Sequence, residues 1–160
     1  RALGATGQAA AADALHEALN DPSIFVREQA LLALAAIHED DATDRILAFL
    51  DHREIRLRRA AATALTELAP ASAAKPLAGL LLSDDKALRT ASRHAMVAIG
   101  AAAVEPIVRL ADALPHDRRG GQQRGELIGV LARIGPGGLD RLLPLLARRD
   151  WRQRALTRSV

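Results

Sequence analysis

Cysteine and tyrosine are absent from this chain of 160 residues, and aromatic residues make up only 2% of it. Without cysteine the chain can form neither a disulfide nor a thiolate metal site. It also lacks alternating runs of β-branched or aromatic residues, so no strand is predicted. No apolar stretch is long enough to span a membrane, and no signal peptide is visible. We therefore expect a cytoplasmic protein, although the chain begins at Arg1 rather than Met and its natural N-terminus is expected to be missing.

The apolar residues, 49% of the chain, are almost entirely Ala and Leu with a little Ile and Val. Ala and Leu are the strongest helix formers, and the small Ala side chain lets helices approach closely. The composition therefore predicts an all-α protein built from closely spaced helices.

Charge is distributed unevenly along the chain. Residues 1–117 contain 12 Lys and Arg against 16 Asp and Glu, a net charge of −4. Residues 118–160 contain 10 Arg against 3 acids, a net charge of +7. Such an asymmetry can mark an anionic partner.

A repeat of about thirty-one residues runs through the sequence. Residues 26–37 (VREQALLALAAI), 57–68 (LRRAAATALTEL) and 88–99 (LRTASRHAMVAI) share an aliphatic residue before an Arg, then small residues, Ala-Leu or Ala-Met, and a final Ile or Leu. Their apolar positions recur at three- and four-residue spacing, which predicts one face of a helix. A further copy, with Arg124 in the place of Arg89, follows at a shift of thirty-five, so four extra residues precede it.

Each repeat is predicted to contain two helices, of which the segment above is the second. The first helices are expected at residues 9–19, 43–50, 74–82, 103–114 and 139–147. Gly100 and Gly135 follow second helices, where a left-handed C-cap favours glycine. The single array then has repeats at 9–38, 42–69, 73–100 and 103–135, with partial copies at 1–8 and 138–160. One helix pair cannot bury its own apolar face, so the prediction is an α-α superhelix, a solenoid of stacked antiparallel helix pairs.

These repeated segments resemble the HEAT-like repeat of the phycobilisome-lyase type over nearly the whole chain. The resemblance implies a HEAT/armadillo-like solenoid whose second helices line a concave surface. It leaves the function open, because the family name covers scaffolds, bilin lyases, a di-iron hydroxylase and DNA glycosylases, and a fold does not imply an activity.

One Arg recurs near the start of every second helix. The members of this Arg column are Arg27, Arg58, Arg89, Arg124 and Arg154, and each follows a turn that carries acidic residues. In HEAT-like families the pattern looks like an inter-repeat Asp–Arg ladder, and Arg can bind carboxylates and turn carbonyls through its forked guanidinium. We interpret the column as structural, with ligand binding as the alternative.

Histidine is the remaining candidate metal ligand. The HEAT-like di-iron hydroxylases place His-Glu just after the Arg of the second helix, but this chain has Glu28-Gln29, Arg59-Ala60 and Thr90-Ala91 there. The five His residues have no regular spacing, so neither a metal nor a cofactor is predicted. The few Ser residues lie in turns or small-residue positions, and we expect no catalytic residue.

The four extra residues fall in the segment 115–125 (PHDRRGGQQRG), which is predicted to be a long, basic, glycine-rich loop. Loops that lengthen in a regular array often carry binding. The candidate binding residues are Arg118, Arg119, Gly120, Gly121 and Arg124, and the two glycines could bring backbone N–H groups near an anion. A tolerated surface loop is the alternative, because lengthening a loop costs little closure entropy.

The predicted concave face carries a charged set of residues that changes from copy to copy: Glu28, Arg59, Thr63, Arg93, His94, Glu126 and Arg133. This set favours a non-catalytic scaffold or adaptor that binds a protein partner, or another domain of its own chain, by shape and charge. A solvated face without a partner would have a similar composition.

Two other functions remain open. One is nucleic-acid or phosphate binding through Arg118, Arg119 and Arg124. The other, implied by the resemblance alone, is a subunit of a bilin-lyase-like enzyme.

Overall fold

The chain folds into a row of helix pairs in a computed structural model that describes residues 2–38, 42–136, 138 and 140. Within these residues there are eight α-helices and no strand, which confirms the predicted all-α class. The helices are α1 (Ala2–Ala18), α2 (Ile24–Ala36), α3 (Ala42–Ala48), α4 (Ile55–Leu68), α5 (Ala74–Leu80), α6 (Lys86–Ile99), α7 (Ala101–Ala113) and α8 (Arg118–Ile134). Short 3-10 turns at Phe49–Asp51 and Ala71–Ala73 follow α3 and precede α5.

The second helix of each pair forms the centre of the stack. α4 packs between α2 and α6, and α8 packs against α6. Each first helix packs against the second helix of its own pair, so that α1 contacts α2, α3 contacts α4, α5 contacts α6 and α7 contacts α8. Packing between successive pairs is the arrangement of a solenoid, in which stability comes from the contacts between neighbouring repeats.

Leu, Ala and Met fill the space between the helices. Two columns of equivalent repeat positions are buried along the whole row: Ala30, Ala61, Ser92 and Leu127 in one, and Leu34, Leu65, Met96 and Leu131 in the other. These are the positions at which the repeat predicted an apolar helix face. Since each layer between helices is filled by such small and medium side chains, the core needs few aromatic residues.

Polar residues and glycine mark the helix ends. The carboxylates of Asp85 and Asp117 cap α6 and α8, each accepting the backbone N–H three residues further on at 2.7 Å. Gly100 and Gly135 have positive φ values of 71° and 97°, as expected of glycine after a helix. Their ψ values of −129° and −152° lie outside the left-handed helical region, so the predicted left-handed cap was wrong in detail. Glycine reaches this other region because it has no Cβ.

The first helix, α1, continues across the boundary that the sequence predicted between two repeats near residue 8. α1 runs from Ala2 to Ala18 without a break, whereas a partial repeat at 1–8 and a separate helix at 9–19 were predicted. Gly7 alone does not end the helix, because a glycine costs only about 1 kcal/mol relative to alanine and four alanines follow at positions 9–12. The other described first helices begin within two residues of their predicted starts. The predicted helix at 139–147 lies outside the described residues.

Candidate functional site

Two grooves lie side by side where the second helices meet. The first, which we call the Asp85 groove, lies between α4 and α6, has a volume of about 600 Å³ and is lined mainly by Arg59, Thr63, Asp85, Lys86, Thr90 and His94. The second, the Glu126 groove, lies between α6 and α8, has a volume of about 270 Å³ and is lined by Arg93, Val97, Glu126, Gly129, Val130 and Arg133. Residues 90, 93, 94 and 97 share one face of α6 because they are three and four residues apart. Both grooves therefore open on one surface, the groove face.

Asp85 is held from two sides at the edge of its groove. Its Oδ1 accepts the backbone N–H of Leu88 at 2.7 Å and Arg59 Nε at 2.9 Å, and its Oδ2 accepts Arg59 Nη2. The hydrogen bonds from Arg59, followed by the one from Leu88, lower the pKa of Asp85 to about 2. The same hydrogen bond to Asp85 raises the pKa of Arg59. Asp85 is thus an ionised carboxylate that caps α6 and joins it to α4.

Ion pairs connect each second helix to the next one along the row. They are Arg56–Glu28 (2.6 Å between Nη2 and Oε2), Arg59–Asp85, and Arg93–Glu126 (2.7 Å between Nη2 and Oε2). Exposed and half-exposed pairs of this kind contribute little to stability, because solvent screens their charges. Their larger effect is on geometry, because they hold charged side chains in one orientation along the edge of the groove face.

The Arg column does not pair with the acids of its own turns. Arg89 Nη1 donates instead to the carbonyl of Ser83 at 2.5 Å. The Nε atoms of Arg27 and Arg58 are buried without a hydrogen-bond partner among the described residues. Arg154 lies outside those residues. The ion pairs between neighbouring second helices in the described residues come from other arginines, whereas Arg89 binds a turn carbonyl, as the structural interpretation allowed.

Arg124 is buried, with only 9% of its surface exposed. Its Nε donates to the carbonyl of Ala111 at 3.0 Å, its Nη1 to that of Pro115 at 3.1 Å, and its Nη2 to that of Leu114. The last carbonyls of a helix have no partner within that helix, and here the guanidinium supplies one for the end of α7. Arg124 is thus fully engaged inside the protein and is not available to an external phosphate, which removes one of the three arginines expected to bind nucleic acid.

The segment 115–125 is the start of a helix rather than a loop. α8 begins at Arg118, and the two adjoining helices absorb the extra residues: α7 has 13 residues against 7 in α5, and α8 has 17 against 14 in α6. Glycine lowers helix propensity, but the Asp117 cap, the Arg124 contacts and the buried side chains later in α8 outweigh that cost. Arg118 and Arg119 are exposed on the first turn of α8.

Gly120 and Gly121 differ in what surrounds them. A Cβ on Gly120 would lie 1.9 Å from the carbonyl oxygen of Pro115, whereas a Cβ on Gly121 would meet nothing within 4 Å. Their N–H groups are already bonded, that of Gly120 to the carboxylate of Asp117 at 2.7 Å and that of Gly121 to the carbonyl of Asp117 at 2.9 Å. The structure therefore contradicts the idea that this pair presents free N–H groups to an anion.

Six of the seven residues predicted for the concave face line the two grooves: Arg59, Thr63, Arg93, His94, Glu126 and Arg133. The seventh, Glu28, lies one helix earlier in its ion pair with Arg56. Sequence reasoning missed Lys86 and Thr90, although they precede His94 at four-residue intervals on one helix face and could have been found from that spacing.

Metal-binding geometry is absent from the described part of the chain, where no group of three or more His, Cys, Asp or Glu side chains could hold an ion. His94 is exposed in the Asp85 groove. His52 stacks on Phe49, and its Nδ1 accepts the backbone N–H of Glu54 at 3.0 Å. Among the same residues, no helix is both long enough and apolar enough to cross a membrane.

Helix pairs stacked in a row around a shared core define this chain as an α-solenoid repeat protein. The family model described as HEAT repeats matches residues 1–56, which include α1, α2 and α3. Residues 1–56 are therefore similar to HEAT repeats, and α4 to α8 continue the same packing. No curated protein matches the chain. The phycobilisome-lyase subtype stays a prediction.

Proposed function

We propose that this protein is a non-catalytic scaffold or adaptor that binds a protein partner, or another domain of a longer chain, on the groove face. The observation that carries the proposal is the pair of adjoining grooves of about 600 and 270 Å³ on one surface. HEAT repeats generally mediate protein–protein interactions, which agrees with this assignment. The proposal gives no catalytic role to any residue of the face.

The groove face is organised before a partner arrives. Arg59 and Arg93 are held by Asp85 and Glu126, so their side chains are already ordered. The hydroxyl of Thr63 donates to the Arg59 carbonyl at 2.9 Å, which also fixes its direction. Ordering a flexible side chain during association costs about 0.5–1.5 kcal/mol, so a surface on which this cost has already been met binds more tightly for the same contacts.

Site-specific photo-crosslinking tests the proposal. A photoreactive amino acid replaces His94, which is exposed in the Asp85 groove, and in a matched protein it replaces Lys75, which is exposed on the first helix α5. Each protein is irradiated in the native cell extract. We expect a saturable protein adduct from position 94 that excess unlabelled wild-type protein competes away, and no such adduct from position 75.

A blocking substitution provides the control. Thr63→Trp fills the Asp85 groove from an exposed position on α4, so the fold is retained and the adduct from position 94 is lost. Equal adducts at positions 94 and 75, or an adduct that persists when the groove is filled, would show that partners do not bind on the groove face.

A further inference from the structure

We propose that the occupant of the groove face is an acidic, extended protein segment that places one carboxylate at Lys86 and a second carboxylate at Arg133. This inference rests on the proposed function and adds to it the chemistry, conformation and direction of the bound segment. Three features of the two grooves lead to it: their charge balance, the free acceptors of two threonine hydroxyls, and the separation of the two cations.

The charge balance of the grooves favours an anionic partner. The acids that line them, Asp85 and Glu126, are both neutralised in ion pairs with arginines of the preceding second helix. Lys86 and Arg133 are exposed, line one groove each, and make no ion pair with any residue that the structure describes. Each groove therefore keeps one positive charge after its internal pair is counted. An exposed acid, Glu67, lies one turn beyond Thr63 on α4 but lines neither groove.

Two hydroxyl groups favour an extended segment over a helix. Thr63 Oγ1 donates to the carbonyl of Arg59 and Thr90 Oγ1 donates to the carbonyl of Lys86, both at 2.9 Å. Since each hydroxyl has one proton and two lone pairs, both oxygens can still accept a hydrogen bond within the Asp85 groove. An extended chain has free backbone N–H groups to donate to them, whereas the N–H groups of a helix are already bonded within it.

The separation of the two cations sets the spacing of the acids. Lys86 is the first residue of α6, and its repeat equivalent in α8 is Gly121, twelve residues before Arg133. Arg93 and Glu126 form an ion pair, and they lie only two positions apart when α6 and α8 are aligned by the repeat. The two helices therefore run side by side. At 1.5 Å per residue along the helix and an axis separation of 8–10 Å, the two cations are about 20 Å apart. An extended segment spans that distance in about six residues.

Gly129 lies on this diagonal path, where it lines the Glu126 groove. A Cβ there would meet nothing within 4 Å, so the position has room that no side chain of α8 occupies. The bound backbone can therefore lie close to α8 on its way to Arg133.

Fluorescence anisotropy with designed peptides tests the inference. The probe is a labelled peptide of Thr, Val and Ser, which favour an extended chain, with two Glu residues at the spacing given above. Matched peptides carry Gln in place of both Glu residues, or the two Glu residues next to each other. We expect the spaced Glu peptide to bind the wild-type chain, and the Gln peptide and the adjacent-Glu peptide to bind more weakly.

Charge-reversed variants locate the contacts. Lys86→Glu and Arg133→Glu should each weaken binding of the spaced peptide about five-fold, which is the scale of one exposed ion pair. Lys75→Glu makes the same charge change on α5, away from both grooves, and should leave binding unchanged. Circular dichroism confirms that each variant is folded, and Lys86→Gln and Arg133→Gln repeat the measurement without introducing a new negative charge.

Two results would overturn the inference. One is equal binding of the spaced Glu peptide and either matched peptide. The other is a loss of binding in Lys75→Glu as large as that in Lys86→Glu and Arg133→Glu. If a partner still crosslinks at position 94 in either case, the face binds a protein of other chemistry and the proposed function stands. Absence of crosslinking there would refute the proposed function itself.

Discussion

Replacing Gly120 by alanine should destabilise the protein, whereas the same change at the next residue should stabilise it. The Cβ of an alanine at position 120 would lie 1.9 Å from the carbonyl oxygen of Pro115, against about 3.0 Å for the closest contacts that real Cβ atoms make. The turn between α7 and α8 must therefore open by about 1 Å. The oxygen belongs to the backbone and the backbone also fixes the position of the Cβ, so no side-chain rotation relieves the clash.

The expected cost follows from overpacking. Forcing extra atoms into a closely packed site costs about 1–3 kcal/mol. The shift also lengthens the hydrogen bond from Arg124 to the same Pro115 carbonyl, which is 3.1 Å in the wild-type protein. Gly121→Ala has open space around the new Cβ and gains the higher helix propensity of alanine, about 0.5–1 kcal/mol.

Thermal unfolding followed by circular dichroism at 222 nm measures both changes. For a chain of this length 1 kcal/mol corresponds to about 2–4 °C in Tm, so Gly120→Ala should melt roughly 3–10 °C lower and Gly121→Ala about 2 °C higher. If both variants melted at the wild-type temperature, residues 118–121 would behave as the exposed loop that the glycine content suggests. The close approach to Pro115 would then be wrong.

Three further predictions follow from other parts of the structure. Ser92→Ala should raise the free energy of unfolding by about 1 kcal/mol, because the Ser92 hydroxyl is buried without a hydrogen-bond partner among the described residues. Exposed Ser72→Ala should change the unfolding free energy little, and urea titrations of the two variants settle the comparison. Arg124→Lys should cost about 2–3 kcal/mol in the same assay, since lysine keeps the charge but its single nitrogen cannot replace the three guanidinium nitrogens that bind three separate carbonyls, while Arg118→Lys on the surface should be neutral. Asp85 has a pKa lowered from 3.8 to about 2 in the folded protein, so the stability it contributes is present above pH 4 or so and is lost as the pH falls towards 2. Asp85→Asn should be less stable than wild type at neutral pH and should lack this part of the acid transition. Parallel curves of Tm against pH for the variant and the wild type would disprove this prediction.

The helical repeat was predictable from the sequence because it rests on local information. Spacing of three and four residues places Leu34, Leu65, Met96 and Leu131 on the same face of successive helices, and all four are buried. Helix propensity and periodicity act within one turn or two, so they can be read from the chain directly. The same spacing brought six of the seven predicted face residues into the two grooves.

The segment 115–125 was misinterpreted because its helical state depends on particular contacts and not on its composition. The segment contains Gly120, Gly121 and Gly125, and because glycine has a low helix propensity such a run is typical of an exposed loop. The start of α8 depends instead on Asp117, on the carbonyls at the end of α7 that Arg124 binds, and on the approach of Gly120 to Pro115. None of these contacts has a signature in composition.

The sequence by itself determined the all-α class, the period of the repeat and the side of each second helix that is buried, because these follow from which residue types recur at helical spacing. Only the tertiary structure decided which charges meet. Within the part of the chain that the structure describes, the arginines that form ion pairs between second helices are Arg56, Arg59 and Arg93, and none of them belongs to the Arg column. An ion pair depends on the distance between two helices and not on position within one. The same distances leave Lys86 and Arg133 as the unpaired cations of the grooves among the described residues. The charge offered to a partner is therefore a property of the packing, which no single repeat contains.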